Sequence, residues 1–168
     1  MIKIPKMVYP FKLDIGCGFY QYKKDAGYIG IDVRDFGQEI IWDITNGLPF
    51  PDSSIENFFC CHILEHLSYD MAVELFKEIW RTGIDGAELE LRMPSMTNQD
   101  AFAGDHRTRY TSSIIEYMLK EFNAEKNSPY YFSYPKLEEV SMPPYDEVQA
   151  LIIINKNRKY GEPNEIKN

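Results

Sequence analysis

The chain has no cysteines at C-x-x-C spacing and no long apolar run. Its three cysteines, Cys17, Cys60 and Cys61, are an odd number with two adjacent. That pattern argues against a disulfide framework and for a reducing compartment. No window approaches about 18 consecutive apolar residues, and the opening MIKIPKMVYPFKLDIG lacks the apolar core and small-residue cleavage site of a secretion signal. A cytoplasmic protein without a membrane span is expected. Positive charge is scarce too: 18 Lys and Arg stand against 26 Asp and Glu, a formal net charge of −8. Such a field repels polyanions, so no nucleic-acid partner is expected. The basic clusters are His106-Arg107-Thr108-Arg109 and the tail around Lys156 to Lys159, and neither makes a broad basic face.

What is present reads as one domain over residues 1–157, followed by a frayed tail over 158–168. Phe11 to Ile15, Tyr28 to Val33, Glu39 to Trp42 and Asn57 to Cys61 are short, β-branched or aromatic segments broken by Gly, Asp and Pro, the pattern of strands. SYDMAVELFKEIWRTG sets Met71, Leu75, Ile79 and Trp80 at helical spacing, with Ser68 as N-cap and Gly83 as stop. Ala87 to Met93 alternates as a strand that Pro94 ends, and Ser95 to Tyr110 carries loop chemistry. TSSIIEYMLKEFN is a second capped helix, and Tyr131 to Ser141 with Glu147 to Asn155 form a long hairpin at the sheet edge, turned by Pro143 and Pro144. The alternation predicts an α/β fold with a mostly parallel sheet, an antiparallel C-terminal hairpin and helices packed on the sheet's faces.

KLDIGCGFYQYKKDAGYIGID places two glycines between the first two strands. A phosphate-cradling loop needs Gly-Lys-Ser/Thr, but Gly18 is followed by Phe19 and Tyr20. A dinucleotide fingerprint needs a third glycine, and Gln21 stands there. What survives is a backbone that lets a ligand approach at Gly16 and Gly18, and an acid, Asp32, ending the second strand where ribose hydroxyls would lie. A nucleoside without a demanding phosphate fits both.

WDITNGLPFPDSSIENFFCCHILEHL, Trp42 to Leu67, resembles the middle of class I S-adenosylmethionine-dependent methyltransferases of the small-molecule type. LDIGCG looks like the family's first motif and YIGID like its second. GDHRTRYTSSIIEYML is similar to the loop and helix that many members place beside the substrate. The resemblance implies a Rossmann-like fold, S-adenosyl-L-methionine as cofactor and methyl transfer to a small polar acceptor such as a sugar, a nucleotide-linked metabolite or an acid. It implies that Asp14, Gly16, Cys17 and Gly18 hold the methionine part, that Asp32 takes the ribose hydroxyls, that Asp43 and Ile44 meet the adenine, and that Cys61, His62 and Ile63 lie near the sulfonium methyl. His62 and His106 are the candidate bases, needed only when the acceptor must lose a proton. His106, Arg107, Arg109 and Tyr110 would bind the acceptor, because arginine's planar fork matches carboxylate or phosphate. The alternative for the two arginines is pairing with surface acids.

Three patterns mislead. HILEH matches the H-x-x-E-H of inverted zinc peptidases, but such a site requires a third protein ligand and a supporting helix, and His62 reads as a strand end rather than part of a helix, so no metal is expected. Leu64 and Leu67 should pack, with Glu65 and His66 capping or facing solvent. MPPY resembles a signature of base-methylating enzymes but stands in the hairpin, and the adjacent cysteines read as core (Cys60) and cofactor lining (Cys61). The sequence also departs from the family: Phe19 to Ala26 is short and the N-terminal helices are reduced. The cofactor site should be open, its lid absent or supplied by another subunit of a homo-oligomer. A protein of the same fold that only binds, or that uses the cofactor otherwise, for example by cleaving it, is the alternative.

Overall fold

A computed structural model describes residues 8–124, 129–142 and 145–157. The sequence expectations for Pro143 and Pro144 and for the tail over 158–168 lie outside these residues. The chain runs β1 (Phe11–Ile15), β2 (Tyr28–Asp32), β3 (Ile40–Ile41), β4 (Ile55–Cys61), α1 (Tyr69–Thr82), β5 (Gly83–Pro94), α2 (Ser112–Ala124), β6 (Phe132–Met142) and β7 (Tyr145–Ile154). They form one sheet in the order β3-β2-β1-β4-β5-β7-β6. The first five strands are parallel, and β7 runs antiparallel between β5 and β6. The strand order reverses at β1, which puts the mouth of the sheet at the carboxyl ends of β1 and β4, where open α/β sheets bind ligands.

Both helices form where the spacing of apolar residues and the caps require. Ser68 accepts a hydrogen bond from the Met71 amide and Gly83 follows the last turn of α1; Thr111 does the same for Ile114 at the start of α2. Their apolar sides, Leu75, Phe76 and Ile79 on α1 and Ile115, Met118, Leu119 and Phe122 on α2, join one core with Leu13, Ile15, Phe58, Leu89, Leu91, Val148 and Ile152 of the sheet. Phe76 meets Phe122 and Phe132 at ring distances of 6.2 and 5.8 Å. The two helices therefore lie on the same side of the sheet.

The other side differs from expectation. Among the described residues no helix covers it, because the links that would carry helices are too short: between β1 and β2 Lys24–Ala26 makes a single 3-10 turn ended by Gly27 in the left-handed region, and the link between β2 and β3 carries no helix. Alternate side chains of the strands point there: Tyr28, Asn57, Phe59, Glu88, Glu90, Arg92 and Gln149. Phe59 is nevertheless buried. The Lys23 ammonium lies 4.5 Å from its ring centroid and the Arg92 guanidinium 5.8 Å, and both cations pair with Glu90 at 2.7 and 2.6 Å. Long charged side chains thus do the covering that a helix would otherwise do.

The Leu-Pro-Phe-Pro-Asp turn has a structural task. Arg81, near the end of α1, donates to the carbonyls of Leu48 and Phe50 and to Asp52, while Glu78 accepts the Leu48 amide. The turn is clasped to the helix that follows the next strand.

Candidate functional site

At the carboxyl ends of β1 and β4 a cleft of about 460 Å³ is lined by Asp14, Gly16, Cys17, Gly18, Tyr20, Tyr22, Phe59, Cys61, His62, Asp100 and Glu147. Its volume falls within the roughly 300–1,000 Å³ of small-molecule sites. It opens on the helix-free side of the sheet, toward which Asp14, Phe59, Cys61 and Glu147 point.

The glycine turn forms its floor. Gly16 and Gly18 have φ of +64° and +57°, where a side chain would be strained. A Cβ on Gly16 would also run into the side chain of Ile63. Gly16 and Cys17 both donate to the Ile31 carbonyl, at 2.8 and 3.2 Å. The Gly18 amide donates to Asp32 Oδ2 at 3.0 Å, and Oδ1 of the same carboxylate accepts from Arg34 N at 2.9 Å. Each oxygen of Asp32 so keeps a lone pair for a ligand. Cys17 turns under β2, where its sulfur occupies the space that a side chain on Gly30 would need.

Electrostatically the lining is acidic, with Asp14, Asp100 and Glu147 and no lysine or arginine. Burial pushes the Asp14 carboxyl up to about 6, with nearby Lys23 pulling the other way. Burial likewise pushes the thiols of Cys17 and Cys61 up to about 12. These thiols are uncharged fillers near neutrality, not nucleophiles.

His62 ends β4 with φ +57°, a conformation that costs an L residue about 1–2 kcal/mol. The turn aims its ring between two acids: Nε2 stands 3.2 Å from Glu147 Oε1 on the cleft side and Nδ1 3.3 Å from Glu65 Oε1 behind it. The interaction with Glu65 raises the His62 pKa most, burial opposes it and Glu147 adds to the rise.

The sequence-expected residues divide accordingly. Asp14, Gly16, Cys17, Gly18, Cys61 and His62 come together in the cleft, with Asp32 one hydrogen bond away. Asp43 and Ile44 do not join them. Asp43 caps the following 3-10 turn, where bonds from the Thr45 hydroxyl and amide hold its carboxyl below the ordinary value. Ile44 lines a separate hollow with Met71, Glu74 and Leu75 of α1. Tyr110 is fully buried, its phenol raised to about 12 by burial, so it has no face for a substrate. His106 lies behind the cleft, packed edge-on against His66 at 4.7 Å. Arg107 and Arg109 are exposed and, among the described residues, neither forms an ion pair; Arg109 stacks 4.5 Å from the Phe102 ring.

Sequence reasoning missed Tyr20, Tyr22, Phe59, Asp100 and Glu147 as lining, and Glu65 as a buried acid. Tyr20 and Tyr22 stack at 5.4 Å on a loop beside the cleft, largely exposed. Two aromatics next to the glycine turn were the available signal. For Asp100 and Glu147 the sequence offered none, since each is brought in from a distant segment.

No family model and no curated protein matches this sequence. Solved structures do match its fold. A SAM dependent methyltransferase from Archaeoglobus fulgidus superposes with a TM-score of 0.66 at 15% identity, covering 86% of each chain. Phosphoethanolamine N-methyltransferase 1 of Haemonchus contortus, in complex with phosphoethanolamine and S-adenosylhomocysteine, superposes at 0.66 and 13% identity, over 96% of this chain and 43% of that one. The cyclase SpnF does so at 0.64 and 15% identity, over 88% and 75%. The fold is that of class I methyltransferases, and it also carries other chemistry.

Proposed function

We propose that the chain binds S-adenosylmethionine in the cleft and transfers its methyl group to a small polar acceptor. The observation that carries this reading is the cleft's make-up: a left-handed glycine turn tied to an acid at the end of β2, in a lining with three carboxylates and no lysine or arginine. A dinucleotide or nucleotide brings phosphates and would meet repulsion there. A sulfonium and an ammonium are cations, and the same lining attracts them.

Asp14 and the backbone of Gly16, Cys17 and Gly18 would hold the methionine part. Asp32 would use its free lone pairs on the ribose hydroxyls. Tyr20 and Tyr22 would cover a bound ligand in the role first expected of Asp43 and Ile44. A sulfonium supplies an already activated methyl, so the protein's work is to align the acceptor in line and to exclude water. His62 would lie at the reacting end, with Glu147 steadying the ring. It takes the proton if the acceptor is a hydroxyl and only orients the acceptor if it is an amine already free of its proton. Arg107 and Arg109, exposed and without an acid partner among the described residues, are available to an acceptor carrying an acid group.

Calorimetric titration tests the reading. S-adenosylmethionine should bind one to one while NAD gives no heat, and Asp32→Ala should weaken binding by about tenfold or more, the loss of a charged hydrogen-bond partner. Absence of heat with S-adenosylmethionine overturns it. Binding without transfer to pooled sugars, nucleotides and acids would move the assignment to a binding protein of the same fold, a reading that the open second side of the sheet favours.

A further inference from the structure

The chain contains three histidines, and all three gather around one carboxylate. Glu65 is 2% exposed, and neither of its oxygens has a hydrogen-bond partner. His62 reaches Oε1 at ion-pair distance, without the geometry of a hydrogen bond, and no ion partner reaches Oε2 among the described residues. His106 Nδ1 is also buried without a partner. A carboxylate and an imidazole nitrogen left bare in a protein interior each cost about 1–3 kcal/mol or more unless something else satisfies them.

Glu65, His66 and His106 each offer a ligand atom, and these lie within 4.8 Å of one another. Bonds of about 2.0–2.1 Å to a shared ion set neighbouring ligand atoms roughly 3–4 Å apart, so small side-chain rotations close the set. The surroundings are built to hold it. The amides of Arg107 and Thr108 both donate to the Glu65 carbonyl, at 2.7 and 3.1 Å, which fastens the segment bearing His106 against the turn bearing Glu65 and His66. Asp105 stands 3.5 Å from His66 Nδ1, the place of the outer carboxylate that fixes a metal-bound imidazole.

We propose that Glu65, His66 and His106 bind a divalent transition-metal ion. Two imidazoles and a carboxylate, without a thiolate, select a zinc, iron or nickel type of ion over magnesium or calcium, which take oxygen ligands. Three protein ligands leave a coordination position open, and His66 is partly exposed, so water has access to it. The site lies behind the cleft, separated from it by His62. It does not depend on the methyl-transfer reading.

The test is titration of the metal-stripped, tag-free chain with Co²⁺, followed by visible absorption and by competition with Zn²⁺. One equivalent should bind and should raise the melting temperature. Glu65→Gln and His106→Ala should each weaken binding by about 100-fold or more and Asp105→Asn by about tenfold, while Cys61→Ser leaves it unchanged. Far-UV circular dichroism checks that each variant is folded, and His66→Gln replaces any that is not. Failure of the wild-type chain to bind one equivalent overturns the proposal. So does binding that survives both Glu65→Gln and His106→Ala.

Discussion

The two sides of the sheet solve the same problem by different means. On one, α1 and α2 bury alternate strand residues such as Leu89 and Leu91 under Phe76 and Phe122. On the other, the intervening residues Glu88, Glu90 and Arg92 meet solvent, and charged stems cover the buried ring of Phe59. Parallel strands are ordinarily buried on both faces. Here the helix-covered side supplies stability through apolar burial, and the bare side is left to the ligand cleft.

The largest expected contrast comes from Phe76→Ala, which should cost about 3–5 kcal/mol in urea denaturation because it empties the centre of the covered side. A loss under about 1 kcal/mol would mean that the helices contribute little to the core. Asp14→Asn probes the cleft. Burial holds the folded carboxyl at about 6 against an ordinary 3.8, so the folded chain keeps this proton to higher pH than the unfolded one. Stability should therefore fall as pH rises from about 4 to about 6 and be level above, by up to about 3 kcal/mol. The asparagine variant should lack that fall and be the more stable at neutral pH, with the difference vanishing in acid; parallel curves for the two proteins would refute it. Glu90→Ala should have the smallest effect, under about 1 kcal/mol and smaller still in high salt, because its ion pairs are partly solvated. A cost matching that of Phe76→Ala would erase the distinction between the two sides.

Much of the frame was legible in the sequence. The strands, both helices with Ser68 and Thr111 as caps, and the hairpin follow from periodicity and punctuation, which act locally. The alternation AELELRM marked a strand, yet a parallel sheet suggested helices on both faces. The glycine turn, Asp32 and the strand-end residues Cys61 and His62 could be read because they stand beside one another in sequence. Glu65 could not, because H-x-x-E-H looks the same whether its acid faces water or the interior. What turns it inward is the segment around His106, about 40 residues on. Tyr110 was misread for the same reason: a tyrosine in a polar loop gives no sign that Ser95 and Met96 will pair with its backbone and bury it.

The strand order also bears on how the molecule is made. Among the described strands β6 bonds only to β7, and β7 lies between β6 and β5. As a ribosome delivers the chain, β6 emerges with no neighbour to join, and β5 keeps an open edge, until the last of the described strands appears. The parallel half can assemble early, whereas β7 must enter as a wedge that joins two edges at once. An unpaired edge of this kind invites association with other chains, and the edge of β5 is closed only when Tyr145–Ile154 has been synthesised.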